Sequence, residues 1–223
     1  MTTVDSHSLA EMVSRYPVLQ ANADQILASA QLVIESQNRG GTLFLAGNGG
    51  SFADCLHIGG ELKKSFEKPR PLGVQVVARL KSLPGGEELA NNLHAGLRTV
   101  VLGLDPVLSS ATDNDINVRF AQFAQELMAM GRKGDVLLGI STSGRSKNVL
   151  NAALVAKALE ISIIVFTGES QSPLSEIAEI SVHAPARATA EVQGLHSHLY
   201  HTWCRIIEDT LYPLDEGTNR TDA

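Results

Sequence analysis

The chain has 223 residues, of which 43% are hydrophobic and only 4% aromatic, and its formal net charge is −6. This length predicts one domain, residues 1–223. The acidic balance, without a cluster of Lys and Arg, argues against a direct nucleic-acid partner. No stretch reaches the roughly 18 apolar residues of a membrane span, and the first residues lack a signal-peptide pattern, so the chain is expected to be cytoplasmic, with no membrane partner.

The first part of the chain, residues 1–40, has apolar residues at helical spacing and ends in Gly40-Gly41. This pattern predicts one or two long N-terminal helices. The short apolar run 42–47, a glycine turn and a new helical pattern from Ser51 then predict a strand, a turn and a helix. The core is expected to span residues 41–211.

Beyond this point, residues 71–78 are predicted as a strand, and the polar segment 79–97 as an insert that contains a short helix. The remaining strands are predicted at 99–105, 135–141, 162–168 and, on an edge, 181–186. The remaining helices are predicted at 114–134, 143–161, 172–180 and 192–211. Strands that alternate with helices of ten or more residues predict an α/β fold, in which a parallel sheet carries helices on both faces.

A turn rich in Ser and Thr follows the strand predicted at 135–141. Its hydroxyl groups, on Ser141, Thr142, Ser143 and Ser146, stand at the start of a helix. Hydroxyls, backbone N–H groups and the helix dipole suit a phosphate dianion. Ordinary N-capping by Ser143 or Ser146 explains only one hydroxyl. Phosphate or sugar-phosphate binding is therefore the favoured interpretation.

A companion turn follows the strand predicted at 42–47 and consists of Asn48, Gly49, Gly50 and Ser51. Glycines let the backbone approach a ligand closely, but one such turn is weak support for a site. Ligands of parallel sheets bind outside the carboxyl ends of the strands. We expect both turns to lie at the same edge of the sheet.

The helix after this turn carries His57 and Glu61 at positions i and i+4, so both side chains project from one face. Such a pair can ligate a divalent metal, or one member can act as a base while the other orients it. A solvated surface pair remains the alternative. The region near 196–201 holds three histidines, of which at most two can share a face, and His196 and His198 are interpreted as core residues.

Three stretches together resemble the sugar isomerase (SIS) domain of the phosphoheptose isomerase family: AGNGGSFADCLHIGGEL (46–62), GDVLLGISTSGRSKNV (134–149) and VQGLHSHLYH (192–201). The resemblance runs to about Asp209. It implies three-layer, flavodoxin-like α/β/α subunits that form a homotetramer with active sites between subunits. It also implies interconversion of sedoheptulose 7-phosphate and D-glycero-D-manno-heptose 7-phosphate, a step of heptose biosynthesis. Apolar N-terminal helices that need a surface to cover agree with the tetramer.

The resemblance also implies roles for residues. Glu61 matches the catalytic acid/base and His201 the second proton-transfer residue. The substrate-binding positions are Asn48, Gly49, Gly50, Ser51, Asn114, Asp115, Ser141, Thr142, Ser143, Ser146 and Gln193. The zinc ligands of metal-bound members, with one zinc per subunit, match His57, Glu61, Gln193 and His201. Eight helical residues separate Gln193 from His201 by about 12 Å, so both reach one ion only if Gln193 precedes the regular helix or a neighbouring subunit supplies one.

Three features depart from the family pattern. Gly194 stands where a Glu is common, Arg145 stands where an Asn is common, and the segment 79–97 is longer than usual, which makes the identity of the sugar less secure than the isomerase chemistry. The alternative function is a non-catalytic SIS module that binds a sugar phosphate or a replication-initiator protein, because the tail 204–217 resembles that of such a relative. A purely structural protein is the least favoured interpretation.

Overall fold

The computed structural model describes residues 7–213, and its centre is a sheet of five parallel strands. The strands are β1 (Leu43–Ala46), β2 (Thr99–Val101), β3 (Val136–Ile140), β4 (Ser162–Thr167) and β5 (Ile180–His183). Their order across the sheet is β2-β1-β3-β4-β5. This is the flavodoxin-like order, so the predicted fold class is confirmed.

Ten α-helices connect or flank the strands within the described residues. They are α1 (His7–Arg15), α2 (Ala23–Asn38), α3 (Gly50–Lys63), α4 (Val74–Lys81), α5 (Gly86–Asn92), α6 (Pro106–Asp115), α7 (Gln122–Met130), α8 (Lys147–Ala158), α9 (Pro173–Ile177) and α10 (Thr189–Leu211). A 3-10 helix, Pro17–Asn22, joins α1 to α2. None of the helices between residues 7 and 213 has the length and apolar character needed to cross a bilayer.

The core has two halves, one on each face of the sheet. Successive strand residues point to opposite faces, so Leu43 and Leu45 join one apolar cluster while Phe44 and Ala46 join the other. The first cluster is completed by α1, α2, α3 and α10, and the second by α7, α8 and α9. These are the three layers that the alternating pattern predicted.

The N-terminal helices cover the core of their own chain. Met12 of α1, together with Ile26 and Val33 of α2, is buried in the same cluster as Trp203 of α10. The apolar pattern of residues 7–38 is therefore satisfied without a neighbouring subunit. The apolar pattern of these helices therefore gives no support for a tetramer.

The strand predicted at 71–78 is wrong, because this segment ends in helix α4. Val74 is 85% exposed, and none of the residues of α4 is buried. A β-branched run forms a strand only where it can pack on a sheet surface and pair with a neighbour. Here β2 takes the place beside β1, and residues 74–92 instead form a helical hairpin of α4 and α5 outside the core.

The helix predicted at 114–134 is confirmed only in part, because residues 122–130 form α7 whereas residues 116–121 are not helical. The structure has two helices, α6 and α7, separated by residues 116–121. The start of α6 was signalled by Asp105, whose Oδ1 accepts the backbone N–H groups of Val107 and Leu108 at 2.9 Å, and by Pro106 at the first helical position. The strand predicted at 99–105 instead included Asp105 as its last residue, and no helix was predicted to begin directly after it.

Candidate active site

Two polar turns lie side by side at one edge of the sheet. Strands β1 and β3 are parallel neighbours, with Ala46 opposite Gly139, so the turns after Ala46 and Ile140 leave the same edge. The chain also changes direction across the sheet here, because β2 lies on the far side of β1. Open α/β sheets bind their ligands at such a switch point. The expectation that both turns share an edge is confirmed.

A pair of side-chain amides joins the two turns directly. Asn48 Nδ2 donates to Asn148 Oδ1, and Asn148 Nδ2 donates back to Asn48 Oδ1, both at 2.8 Å. Asn148 belongs to the first turn of α8 and also accepts the backbone N–H of Val149. Sequence reasoning missed Asn148, although its place two residues after Ser146 was a usable signal. The amide pair fixes the β1 turn against the start of α8.

The hydroxyl groups of the turn after β3 are not consumed by capping. Ser146 is the N-cap residue of α8, yet its side chain accepts none of the N–H groups of the helix. Its Oγ instead lies 3.0 Å from Ser141 Oγ. Thr142 is half-buried, and Ser143 is exposed and accepts the backbone N–H of Arg145 at 3.3 Å. The capping interpretation therefore fails for Ser146, and the turn keeps hydroxyls for a ligand.

The β1 turn depends on two glycines. Gly49 has φ +54°, a conformation that favours glycine, and leads directly into α3. A Cβ on Gly50 would lie 2.3 Å from Nε2 of Gln193, so the side chain of Gln193 packs on the start of α3. Ser51, the next residue, is buried. The turn and Gln193 thus form one local unit.

Three predicted site residues meet further along, between α3 and α10. His57 Nε2 lies 3.1 Å from Glu61 Oε1 and 3.4 Å from His201 Nε2. The two helices run in the same direction, since Gly50 faces Gln193 and His57 faces His201. Glu61 has a side chain that is only 17% exposed. The pair at i and i+4 is therefore part of a cluster rather than a solvated surface pair.

Burial sets the electrostatics of His201. It lowers the pKa of the imidazole, and the nearby charge of His57 lowers it further. The ring of Phe66 lies beside it, with the ring centroids 6.1 Å apart. His201 is consequently neutral near pH 7, with one N–H donor and one acceptor nitrogen.

Two residues that sequence reasoning missed, Tyr200 and Asp54, border the cluster. The hydroxyl of Tyr200 lies 3.1 Å from His57 Nδ1. Burial raises the pKa of Asp54 to about 6, although the charge of His57 and the hydroxyl of Tyr200 oppose that shift. The available signals were positional, because Asp54 precedes His57 by one helical turn and Tyr200 directly precedes His201.

Arg70 braces the last turn of α3, which carries Glu61. Its guanidinium donates to the backbone carbonyls of Leu62 at 2.8 Å and Glu61 at 3.1 Å. It also donates through Nε to Glu208 Oε1 of α10 at 2.6 Å. Glu208 in turn accepts the backbone N–H groups of residues 66–68. These bonds fix the end of α3 that carries Glu61 to α10.

Gln193 is held apart from the other three predicted metal ligands within one chain. It lies inside the continuous helix α10, at the level of Gly50, and not before the regular helix. Eight residues at the helical rise place it about 12 Å from His201 along the axis. One chain therefore brings together His57, Glu61 and His201 without Gln193.

The predicted substrate residues Asn114 and Asp115 lie at the end of α6. Asn114 Nδ2 donates to Asp115 Oδ1 at 2.8 Å, and both side chains are exposed. Helix α6 begins at Pro106, just after β2, so these residues lie about 13 Å along the helix from that edge of the sheet. The structure does not gather them with the two turns in one chain.

His196 and His198 stay outside the cluster. His196 is fully buried and donates Nε2–H to the carbonyl of Thr167 at 3.1 Å, and burial lowers its pKa to about 4. The core interpretation is confirmed for His196. His198 is half-buried and stacks on Tyr16, with ring centroids 3.8 Å apart. It packs against the N-terminal part of the chain instead of joining the core.

The donor types of the cluster suit zinc, for which His and Glu are common ligands. Two ligands of a tetrahedral zinc ion with bonds of about 2.0 Å lie roughly 3.3 Å apart. The separations in the cluster, 3.1 Å from His57 to Glu61 and 3.4 Å from His57 to His201, are close to that value. The side chains are bonded to one another, and no three His, Cys, Asp or Glu of residues 7–213 are already arranged around a metal position. The set therefore fits zinc in the chemistry of its donors.

Sequence and structure comparisons find the same group of related proteins. A family model described as the SIS domain matches residues 118–202. The phosphoheptose isomerase of Roseiflexus sp. is 32% identical over 194 residues, covering 87% of this chain and 86% of the relative. That of Burkholderia pseudomallei is 32% identical over 214 residues, covering 94% and 95%. The structure of a phosphoheptose isomerase from Francisella tularensis has a TM-score of 0.70 at 25% identity and covers 92% of this chain and 95% of the other.

Proposed function

Because this chain belongs to the phosphoheptose isomerase family, we propose that it interconverts sedoheptulose 7-phosphate and D-glycero-D-manno-heptose 7-phosphate through an enediol. One observation carries the proposal: Glu61 and His201 both contact His57, at 3.1 and 3.4 Å. A carboxylate and a neutral imidazole at one place are the acid/base pair that aldose–ketose exchange requires.

Glu61 moves the proton between the carbon atoms C1 and C2. Its carboxylate takes a proton from C1 of the ketose, the C–H electron pair becomes the C1=C2 double bond, and the carbonyl oxygen on C2 gains a proton. The proton on the Glu61 carboxyl exchanges with solvent, and delivery of a proton from this carboxyl to C2, with loss of the proton on the C1 oxygen, gives the aldose. C1 is oxidised and C2 reduced within one molecule, so the reaction needs no external redox partner.

His201 transfers protons to and from the oxygen atoms of the substrate. Burial and the charge of His57 lower its pKa, so the ring is neutral and can give a proton from one nitrogen and accept a proton at the other. It moves protons between the oxygens on C1 and C2 as the enediol forms and collapses. Arg70 assists indirectly, because its bonds to the carbonyls of Glu61 and Leu62 hold the last turn of α3 in place.

The two turns hold the phosphate. Ser141, Thr142, Ser143 and Ser146 supply hydroxyls at the start of α8, where the helix dipole favours an anion. The amide pair of Asn48 and Asn148 keeps the β1 turn beside them. A dianion in this position orients the sugar relative to the sheet edge.

The dimensions of one chain support a site built by two subunits. From Gly50 at the β1 turn to Glu61, helix α3 rises about 16 Å. An extended seven-carbon sugar phosphate is about 10 Å long, given ordinary bond lengths. These dimensions support one substrate held by the phosphate turn of one subunit and the acid/base pair of another, within the homotetramer that the family resemblance implies. A neighbouring subunit also brings Gln193 to the catalytic cluster.

Zinc is the proposed cofactor, one ion per subunit, held by His57, Glu61 and His201 with Gln193 from a neighbour. When bound, the ion supplies Lewis-acid polarisation of the substrate oxygens. His57→Gln is expected to weaken zinc binding in a chelator competition, whereas the matched His198→Gln is not. Unchanged affinity in His57→Gln would contradict the ligand assignment.

The function is tested by proton NMR of the protein with sedoheptulose 7-phosphate in heavy water, with and without added zinc. Aldose that carries deuterium at C2 is the expected product of an enediol route. Glu61→Gln is expected to lose about 10²–10⁴-fold in turnover, while Glu35→Gln on the surface of α2 retains it. No turnover by the wild-type chain despite saturable binding would favour the alternative of a non-catalytic sugar-phosphate module.

That alternative is not favoured by the arrangement of the site. A module that only binds a sugar phosphate needs the two turns but not the Glu61 and His201 pair. The tail that resembles a replication-initiator-binding relative lies partly outside the described residues, at 214–217. Function is therefore argued from the cluster between α3 and α10.

A further inference from the structure

Both ring nitrogens of His57 have partners, which lie on α3 and on α10. Nε2 faces Glu61 and His201, whereas Nδ1 lies 3.1 Å from the hydroxyl of Tyr200. The rings of His57 and Tyr200 meet nearly edge to face, at an angle of 67°. Tyr200 is 3% exposed, so its own position is set by the core.

His57 needs such a partner because packing alone does not fix its ring. Its side chain is 47% exposed, in contrast to 17% for Glu61. An exposed imidazole changes rotamer readily unless a hydrogen bond holds it. The buried hydroxyl of Tyr200 supplies that bond from the neighbouring helix.

A hydroxyl differs from a carboxylate or a carbonyl because it both donates and accepts. When Nε2 of His57 carries the proton and donates to Glu61, Tyr200 donates to the bare Nδ1. When Nδ1 carries the proton, the oxygen of Tyr200 accepts a hydrogen bond from Nδ1–H. The O–H of Tyr200 then donates to a further acceptor. Asp54 is the acceptor that the geometry offers, because it lies one helical turn before His57 and its Oδ2 is buried without a hydrogen-bond partner.

We propose that Tyr200 is a positioning residue for His57: its hydroxyl aims Nε2 at Glu61 and His201 and allows the ring to hold its proton on either nitrogen. The proposal deepens the proposed function, because it concerns the same acid/base cluster. A His that ligates a metal usually donates its other N–H to an outer partner, and loss of that partner typically costs 10–100-fold in affinity or activity. Tyr200 occupies the place of that partner.

The test compares Tyr200→Phe with Tyr212→Phe, which removes the same hydroxyl at the end of the same helix. Nitrogen-15 NMR of labelled histidines reports which nitrogen of His57 carries the proton. For the neutral ring of His57 in the metal-free wild type we expect the proton on Nε2, and after zinc is added we expect it on Nδ1. Tyr200→Phe is expected to give averaged nitrogen shifts, and Tyr212→Phe to match the wild type.

Turnover and zinc binding provide the second readout. Tyr200→Phe is expected to lower kcat and zinc affinity by about 10–100-fold, with KM changed less than about twofold, because the phosphate turns are untouched. Retention of the ring should leave the midpoint of thermal unfolding close to that of Tyr212→Phe. Wild-type nitrogen shifts together with wild-type kcat in Tyr200→Phe would overturn the proposal.

The two proposals fail separately. If the wild-type chain isomerises no sugar phosphate and binds no zinc, the proposed function and cofactor are rejected, yet the metal-free nitrogen shifts still decide whether Tyr200 fixes His57. If turnover is present and the shifts of His57 do not respond to Tyr200→Phe, only the positioning role is rejected.

Discussion

Arg70 and Glu208 form an ion pair in the interior of the protein, with Nε and Oε1 2.6 Å apart and both side chains at most 1% exposed. The pair joins the loop after α3 to α10 and places Arg70 against the carbonyl of Glu61. A buried pair of this kind contributes little net stability relative to apolar residues, but removal of one partner leaves an uncompensated charge. Its role is to fix the end of the helix that carries the proposed base.

Glu208→Gln is therefore expected to lower the free energy of unfolding by about 3–5 kcal/mol, because the buried guanidinium keeps its charge and loses its partner. The matched control is Glu160→Gln, which breaks an exposed pair with Lys133 and should cost far less, because water screens the two charges. Urea denaturation followed by circular dichroism measures both. Equal losses in the two variants would show that the buried pair is unimportant for stability.

The contact between Asn48 and Asn148 predicts an effect on phosphate binding. Asn148→Asp keeps the shape of the side chain but places a carboxylate between the two turns. Two like charges about 5 Å apart at a protein surface repel by a few kcal/mol, so KM for the sugar phosphate should rise about tenfold or more, with kcat little changed. Steady-state kinetics and inhibition by inorganic phosphate measure the effect. An unchanged KM would place the phosphate elsewhere.

His196 predicts a pH dependence of stability. Burial lowers its pKa from 6.5 to about 4 in the folded chain, so between these values the unfolded chain binds more protons. The free energy of unfolding therefore falls as the pH falls from 6.5 toward 4, by about 3 kcal/mol from this residue. His196→Gln should remove that part of the slope, while His198→Gln should retain it. Urea titrations from pH 4 to pH 7 decide, and identical slopes in the two variants would refute the assignment.

The sequence patterns predicted the strands of the sheet and the two turns at its edge better than they predicted the segments that follow α3 and β2. Buried strands such as Val136–Ile140 are continuous apolar runs between turns, and a parallel sheet then places the following turns on one edge. Residues 71–78 were wrongly predicted as a strand because their β-branched residues favour a strand only where a sheet surface is available for packing. Only the tertiary structure shows whether that surface exists. Helix α6 was missed although Asp105 and Pro106 mark its start.

In the site, the pair at i and i+4 and the hydroxyl-rich turn could be predicted because their members are close in sequence. Tyr200, Asn148 and Arg70 were missed because each acts on a partner far away, as in the contact of Tyr200 with His57, 143 residues apart. Local patterns do not specify which faces of two distant helices meet. The separation of Gln193 from His57 likewise follows from the packing of α10 on α3.

The helical hairpin of α4 and α5 gives the last prediction. Only Gly86 and Ala90 of α4 and α5 are buried, so the hairpin contributes little to the core. Pro71 and His94 pair across its base as an antiparallel bridge. Residues 73–92 can therefore be replaced by a two-residue Asn-Gly turn, which suits an antiparallel connection.

This deletion is expected to leave the free energy of unfolding within about 1 kcal/mol of the wild type, because the cost of loop closure changes slowly with length. The hairpin follows the loop that Arg70 and Glu208 fix beside Glu61, so its removal should alter which sugars reach the site. We expect the ratio of kcat/KM for seven-carbon and five-carbon ketose phosphates to change by more than about threefold, a difference in discrimination of at least roughly 0.6 kcal/mol. An unchanged ratio in a folded deletion variant would show that the hairpin does not select the sugar, and loss of folding would show that the hairpin belongs to the core.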